Sequence, residues 1–179
     1  MKIKTLASVL AVATLTSACG MMMKVPMTTE ELRQGVLEGN GKPTEVYSVS
    51  KPFNDVSKNL SDKANQCLSV KIKSTTTMSN GGEIIKYITY KPSVNVKKNY
   101  VEIALQVKEE GAFTLVKPDM PNDGMFIVLA DIKSSGKSNT NLDLYYAKMG
   151  IFNPYEKIVT ALKGWADGSI RGCPDLANG

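Results

Sequence analysis

The sequence contains no histidine, and this absence argues against several kinds of chemistry at once. Histidine is the usual general base near neutral pH, the usual partner of a nucleophilic serine or cysteine, and the commonest metal ligand. Without it, a catalytic triad of the common type and most zinc sites are excluded. We therefore expect a protein that is not an enzyme and that holds no metal or cofactor.

Concentrated positive charge is also missing. The chain has 22 Lys and Arg residues against 17 Asp and Glu residues, and apart from Lys97-Lys98 the basic residues are mostly scattered. Proteins that bind nucleic acid usually gather their basic residues into a patch or stripe. The composition therefore argues against nucleic acid as a partner, and it leaves open a weak contact with anionic lipid head groups.

The N-terminal residues have the organisation of an export signal. Lys2 and Lys4 precede an uncharged run from Thr5 to Ala18, and small residues lead directly to Cys19. A charged n-region, a short apolar h-region and a small-residue cleavage site characterise signal peptides. The run is shorter than the roughly 20 residues of a membrane-spanning helix, so a transmembrane anchor is not expected. The alternative to lipid attachment at Cys19 is an ordinary secretory signal.

The residues Leu15-Thr16-Ser17-Ala18-Cys19-Gly20 resemble the lipobox of bacterial lipoproteins, although Thr16 stands where leucine is usual. The resemblance implies that Cys19 becomes the first residue of the mature protein and carries a covalent lipid. Acyl chains at one cysteine would hold the protein firmly to a membrane. In a Gram-negative host, Gly20 in place of aspartate after the cysteine implies the periplasmic face of the outer membrane.

These expectations divide the chain into three parts. Residues 1–18 form a cleaved signal peptide, residues 19–27 form a lipidated tether, and residues 28–179 form a single periplasmic α+β domain. Cleavage leaves 161 residues with a net charge of +3. That length is enough for one domain to bury a core and fold alone.

Two further cysteines, Cys67 and Cys173, remain in the predicted domain. An exported protein enters an oxidising compartment in which disulfides form and persist. We therefore predict a disulfide between them, which would close a loop of about 100 residues and restrict the unfolded chain. Two buried free thiols are the alternative.

Two helices are predicted in the first part of the domain. Thr28 and Glu31 have the spacing of a capping box, which predicts a short helix over residues 29–38. A second helix begins after Pro52. From Phe53 to Cys67 its apolar residues recur at spacings of three and four, which places Cys67 on the inward face.

A long helix is predicted near the C-terminus. Asn153 can cap its start, Pro154 suits the first helical position, and Gly168 is a typical stop. Apolar residues from Tyr155 to Trp165 form a stripe along one side. The pattern is typical of an amphipathic helix packed on a sheet.

Between the second and third helices, the apolar pattern changes to a period of two. It is clearest from Tyr100 to Lys108, where apolar and polar residues alternate strictly. The other strands of this part are predicted at residues 68–74, 84–90, 112–116, 125–132 and 141–146, and one more strand is predicted before the second helix at residues 45–49. The connections are rich in turn residues and favour antiparallel hairpins.

This order of elements resembles the helix-grip arrangement of START and Bet v 1-like domains, which also occurs in the outer-membrane assembly lipoprotein BamC. The resemblance implies an α+β fold in which a curved antiparallel sheet of about five to seven strands packs against a long C-terminal helix, with a short N-terminal helix. A second similarity, to small BamE-like lipoproteins, is limited to residues 41–47 and the helix before them.

Several short motifs are interpreted as structural. Ser48 and Lys51, and likewise Ser134 and Lys137, have the Ser-x-x-Lys spacing of penicillin-binding enzymes, but they lie at a strand end and in a polar loop. Residues 136–138 look like the tail of a phosphate-binding loop whose first glycine is absent.

A polar loop and a group of aromatic residues are interpreted in the same way. Asp119, Asn122 and Asp123 could hold calcium, but the neighbouring proline and glycine residues favour a turn. Six tyrosines could form a surface for a partner or could be half-buried strand residues. These are Tyr87, Tyr90, Tyr100, Tyr145, Tyr146 and Tyr155.

The sequence therefore predicts a lipid-anchored, non-enzymatic envelope lipoprotein. Its expected role is that of a structural or accessory subunit of a cell-envelope assembly, such as secretion or outer-membrane machinery. Its expected partners are the membrane, reached through the acyl chains on Cys19, and other envelope proteins. The alternative is a periplasmic carrier that binds a small apolar ligand between the sheet and the C-terminal helix.

Overall fold

The structure is a computed structural model, and it describes residues 26–34, 43–111, 121–146 and 155–177. These residues form three helices and six strands. In chain order the elements are α1 (Thr29–Arg33), β1 (Glu45–Val49), α2 (Phe53–Cys67), β2 (Val70–Thr77), β3 (Glu83–Lys97), β4 (Tyr100–Gly111), β5 (Met125–Ser134), β6 (Thr140–Tyr146) and α3 (Glu156–Asp167).

The six strands form one antiparallel sheet in the order β1-β6-β5-β4-β3-β2, curled into a half-barrel. Strands β2 to β6 follow one another as neighbours, as expected for short connections. Strand β1 joins the far edge, where Glu45 pairs with Leu144. The prediction of an α+β fold with a curved antiparallel sheet of five to seven strands is confirmed.

The inner face of the sheet carries the main core. In β4 the residues Val101, Ile103, Leu105 and Val107 point into it and are at most 5% exposed. Helices α2 and α3 cover this face, and their apolar sides join the same core cluster. Strand β4 thus largely follows the period-two pattern that the sequence predicts, whereas β5 is buried on both faces from Ile127 to Ile132.

Helix α2 buries the face predicted from its spacing. Phe53, Val56, Leu60, Ala64 and Cys67 are all buried, since residues three and four apart share one side of a helix. Its polar residues lie mostly on the opposite side. Cys67 is 3% exposed and therefore points inward as predicted.

Helix α3 is shorter than predicted. It has 12 residues, Glu156–Asp167, whereas a long C-terminal helix was expected. Gly168 ends it in the left-handed conformation with φ 78°, as the sequence predicts. The expected start at Asn153 and Pro154 lies outside the described residues. At 1.5 Å per residue, a helix of this length spans about 18 Å, and the prediction of a long helix is therefore wrong.

The strand bounds differ most at β3. A strand over residues 84–90 was expected, but β3 extends to Lys97 through Pro92. Proline disfavours the interior of a sheet because it cannot donate a backbone hydrogen bond. Here Tyr90 is the last residue of β3 that pairs with β2, so Pro92 follows the doubly paired part of the strand.

Two predicted segments fall partly or wholly outside the described residues. These are the strand over 112–116 and the end of the first helix, which was expected to reach residue 38. Among the described helices, none combines the length and apolar character that a membrane crossing requires.

Candidate functional site

A second apolar cluster lies on the outer face of the sheet, opposite α2 and α3. Leu32 of α1 packs there against Ala104, Leu129 and Tyr145, with Phe126 at the margin. Leu32 is 8% exposed although its helix has only five residues. So short a helix is not stable alone, and its docking on the sheet must hold it in place.

The residues around the start of α1 fix its direction. The Thr28 hydroxyl accepts a hydrogen bond from the Glu31 amide at 3.1 Å. The Glu31 carboxylate accepts from the amide of Met27 at 2.7 Å, whereas an ideal capping box would use the amide of Thr28. One residue earlier, the Pro26 carbonyl accepts from the Phe126 amide at 3.1 Å. The chain is therefore tied to the start of β5 before the helix begins.

Arg33, at the end of α1, makes the strongest contact with the sheet. Its Nε and Nη2 atoms donate to the two carboxylate oxygens of Asp131 at 3.0 and 2.9 Å. Nη2 also donates to the Tyr100 hydroxyl at 2.9 Å and to Glu102. A guanidinium paired with a carboxylate through two parallel bonds is among the strongest geometries available to side chains. We refer to Arg33, Tyr100, Glu102 and Asp131 as the outer-face clamp.

Burial and neighbouring charge shift the pKa values of Arg33 and Tyr100 in the clamp. The pKa of Arg33 is raised, chiefly by its hydrogen bonds to Asp131 and against the opposing effect of burial. Burial, followed by the hydrogen bond to Asp131, raises the pKa of Tyr100. The Tyr100 hydroxyl is therefore protonated at neutral pH and donates to Asp131 at 2.6 Å.

The arrangement suits docking better than catalysis. Asp131 is 3% exposed, and both of its carboxylate oxygens accept hydrogen bonds from within the clamp. A general base must reach a proton on a substrate, and a nucleophile needs a base that activates it. The clamp provides neither, but it does hold α1 on the sheet.

The structure joins Cys67 and Cys173 by a disulfide, as the sequence predicts. The bond links the end of α2 to the segment that follows α3. The same segment is held by Trp165, whose indole Nε1 donates to the Gly172 carbonyl at 2.9 Å. Lys63 of α2 donates to the Arg171 carbonyl at 2.7 Å. The C-terminal segment is therefore fixed across both helices.

In both Ser-x-x-Lys pairs the serine hydroxyl donates to a group other than the lysine. Ser48 donates to the side chain of Asn141, while Lys51 turns away and donates to the Asp167 carbonyl at the end of α3. Ser134 donates to the carbonyl of Gly136 within an exposed turn. The phosphate-loop resemblance over residues 136–138 falls on the same exposed turn.

The loop of Asp119, Asn122 and Asp123, which was interpreted as a turn rather than a calcium site, is described only in part. Asp119 lies outside the described residues, and Asp123 accepts a hydrogen bond from Lys91 at 2.6 Å. Its carboxylate thus pairs with a lysine. Within the described part of the chain, no three His, Cys, Asp or Glu side chains gather closely enough to hold a metal ion.

The six tyrosines separate into different environments. Tyr90, Tyr145 and Tyr146 are buried, whereas Tyr87 is 38% exposed on the outer face. The other two are partly buried. Tyr100 belongs to the outer-face clamp, and Tyr155 packs against the main core at the start of α3. The six tyrosines therefore do not form one common surface for a partner, and among them Tyr87 is the exposed one.

Sequence reasoning missed the outer-face clamp. The signal that could have found it is Asp131, a charged residue in the otherwise apolar stretch from Ile127 to Ile132. A buried charge must be paired, so a cation from another part of the chain is expected to lie beside Asp131. Arg33 is 98 residues away, and no local pattern connects the two.

Cys19, the predicted site of lipid attachment, lies outside the described residues. A comparison of the chain with models of protein families found no match, and a comparison with curated proteins found none either.

Proposed function

We propose that this chain is a lipid-anchored, non-enzymatic lipoprotein of the outer membrane, acting as a structural or accessory subunit of a cell-envelope assembly. The observation that carries the proposal is the signal-like N-terminus ending at Cys19. A lipid anchor confines a domain to a membrane surface, where the lipoprotein can contribute binding surface to a larger machine.

The disulfide between Cys67 and Cys173 supports an exported location. Structural disulfides are rare where thioredoxin and glutathione keep thiols reduced, and they persist in the periplasm. The pairing uses both cysteines that the mature chain would have besides the lipid-bearing one. The N-terminal signal and the disulfide therefore point to the same compartment.

The docking of the N-terminal segment supports an anchoring role. Pro26 is only seven residues after Cys19, and from there to Arg33 the chain is held on the outer face. An anchored domain whose docked segment begins seven residues after the lipid has a restricted position above the membrane, whereas one on a long flexible linker does not. A fixed position suits a protein that presents a surface to assembly partners.

The packing of the inner face favours the subunit over the carrier. A carrier would need a cavity of about 300 to 1,000 Å³ between sheet and helix. In the described residues that space is occupied by one continuous apolar cluster, in which Leu60, Leu162 and Trp165 are at most 1% exposed. The resemblance to helix-grip domains stays a proposal, and the short α3 counts against it.

The proposal is tested by isolation of the acylated full-length protein from its own membranes in mild detergent. We expect defined envelope proteins to co-purify in fixed proportion with the wild-type chain and to be lost with the Cys19→Ala variant. Recovery of the wild-type protein alone would contradict the subunit role. A small apolar molecule in native mass spectra of the same preparation would instead support the carrier.

A further inference from the structure

We propose that the outer face of the β2–β3 hairpin contacts the surface of the lipid bilayer. The inference rests on the proposed lipid anchor at Cys19 and extends it, because it assigns which side of the domain faces the membrane. The surface consists of Ile85 and Tyr87 of β3, Met78 in the turn, and the lysines that flank them.

The first step is the length of chain between the anchor and the domain. Pro26 lies seven residues after Cys19 in the chain. Its carbonyl accepts a hydrogen bond from the Phe126 amide. Even fully extended, a chain of that length spans no more than about 25 Å. Once Cys19 carries lipid, the start of β5 must therefore stay close to the membrane surface.

The second step is the position of the hairpin relative to that point. Phe126 pairs with Gln106 on β4, and Gln106 pairs with Lys91 on β3. Tyr87 lies four residues from Lys91 along β3, so it is two strands across and about 13 Å along from Phe126. Hence the hairpin extends from the same end of the sheet at which the anchor segment enters.

The third step is the chemistry of the exposed side chains. Ile85, Tyr87 and Met78 are 38%, 38% and 39% exposed, and they are among the most exposed large apolar residues that the structure describes. Alternation along β3 places Ile85 and Tyr87 on the outer face. Lys71 lies over the Tyr87 ring, with its Nζ atom 5.0 Å from the ring centre. Tyrosine beside lysine is typical of a membrane interface, where the ring sits among head groups and the lysine reaches water.

Charge contributes less to this surface than apolar contact. By alternation its outer side carries Lys71, Lys73, Lys91 and Lys108. The same face carries Glu83 and Glu110, and Asp123 lies in the neighbouring turn. Lys71 and Lys108 pair with Glu110, and Lys91 pairs with Asp123. The small positive excess tolerates anionic head groups. Since most charge is already paired, we expect the contact to depend only weakly on salt.

The test uses the acylated full-length protein in liposomes whose lipids carry a nitroxide quencher near the top of the acyl chain. A reporter is introduced by Tyr87→Trp, and the matched control is Val96→Trp. Val96 is 66% exposed on the same strand, nine residues away and therefore about 30 Å along β3. The native Trp165 is 0% exposed, and its signal is subtracted with the wild-type protein.

We expect the lipid quencher to remove about half or more of the added emission in the Tyr87→Trp variant, because interfacial aromatic residues sit at the head-group level. The Val96→Trp variant should lose almost none. Equal quenching of both variants, or no quenching of either in protein that floats with the liposomes, would overturn the proposal.

Flotation and the mass of the N-terminal peptide are measured in the same samples, so a failure of the anchor itself is distinguishable. A chain without lipid that does not float contradicts the lipoprotein function, whereas a floating chain without quenching contradicts only the membrane-facing surface.

Discussion

The two faces of the sheet are held by different forces. On the inner face, α2 and α3 bury a continuous apolar core that includes Trp165, and the Cys67–Cys173 disulfide ties the C-terminal segment across them. On the outer face, the five-residue helix α1 rests on a few apolar side chains and is secured by the outer-face clamp. Apolar burial is non-directional, whereas a bidentate ion pair fixes position and angle.

The two faces therefore contribute differently to the stability of the domain and to the position of its N-terminal segment. The inner face accounts for most of the stability, since most of the buried apolar surface lies there. The outer face contributes little area but fixes where the N-terminal segment meets the domain. We therefore expect damage to the inner face to unfold the whole domain and damage to the outer face to release α1 alone.

The largest effect is expected from Trp165→Ala on the inner face. Trp165 is 0% exposed, and its indole donates to the Gly172 carbonyl, so truncation leaves a cavity and removes this hydrogen bond. We expect a loss of about 4 kcal/mol in the free energy of unfolding, measured by urea titration with circular dichroism. Val46→Ala, at a position 57% exposed, is the control and should change it by less than about 0.5 kcal/mol. Similar losses in both variants would show that the inner core is not the main source of stability.

The next effect is expected from removal of the disulfide through Cys67→Ala with Cys173→Ala. The two residues are 106 positions apart, so the bond restricts the unfolded chain strongly. We expect a loss of about 3 kcal/mol in unfolding free energy, again by urea titration. A reductant should lower the stability of the wild-type chain to a similar extent and leave the double variant unchanged. An unaltered wild-type midpoint in reductant would contradict the structural role of the bond.

A smaller and more local effect is expected from Arg33→Ala. Asp131, 3% exposed, would lose its two hydrogen bonds from Arg33 and keep, among the described residues, the one from Tyr100. Leaving a buried carboxylate short of partners costs about 2 kcal/mol. Hydrogen exchange should become faster in α1 and at the Phe126 amide, while the amides of α2 keep their protection.

Arg33→Lys is the matched control for this change, because it keeps the charge but cannot form the parallel pair of bonds. An intermediate acceleration of exchange in α1 is expected. If Arg33→Ala instead accelerated exchange evenly across α1 and α2, the two faces would be one cooperative unit and the distinction between them would be wrong.

The smallest effect is expected at alkaline pH on the inner face. Burial, with smaller contributions from Tyr90 and Glu109, raises the pKa of Tyr155 to about 12. In the unfolded chain the Tyr155 hydroxyl ionises near pH 10. The stability that depends on a protonated Tyr155 is therefore complete below pH 10 and is lost as the pH rises through about 12. Between pH 9 and 11 the wild-type chain should therefore lose about 1–2 kcal/mol more unfolding free energy than Tyr155→Phe, measured by urea titrations at pH 9, 10 and 11. An identical pH dependence in the variant would contradict the assignment.

The inner face could be predicted from the sequence because its signals are local. The spacing from Phe53 to Cys67 identifies the buried side of α2, and the alternation from Tyr100 to Lys108 identifies the buried side of β4. Gly168 marks the end of α3 correctly. Each of these patterns repeats within a few residues and depends on the geometry of one element.

The outer face, the extent of β3 and the length of α3 could not be predicted in the same way. The pairing of Arg33 with Asp131 joins residues 98 positions apart, and nothing near either residue indicates the other. The continuation of β3 past Pro92 depends on which neighbour each part of the strand has in the sheet. The apolar stripe from Tyr155 to Trp165 indicates which side of α3 is buried but not how long the helix is, and α3 has 12 residues.

The central claim is that a lipid on Cys19 holds this domain to a membrane. Cells expressing the wild-type chain or the Cys19→Ala variant are labelled with radioactive palmitate. The mass of the N-terminal peptide of each purified protein is then measured by mass spectrometry. We predict label only in the wild-type chain, on a mature protein that begins at Cys19. A wild-type chain that carries no label, or equal labelling of the Cys19→Ala variant, would contradict the claim.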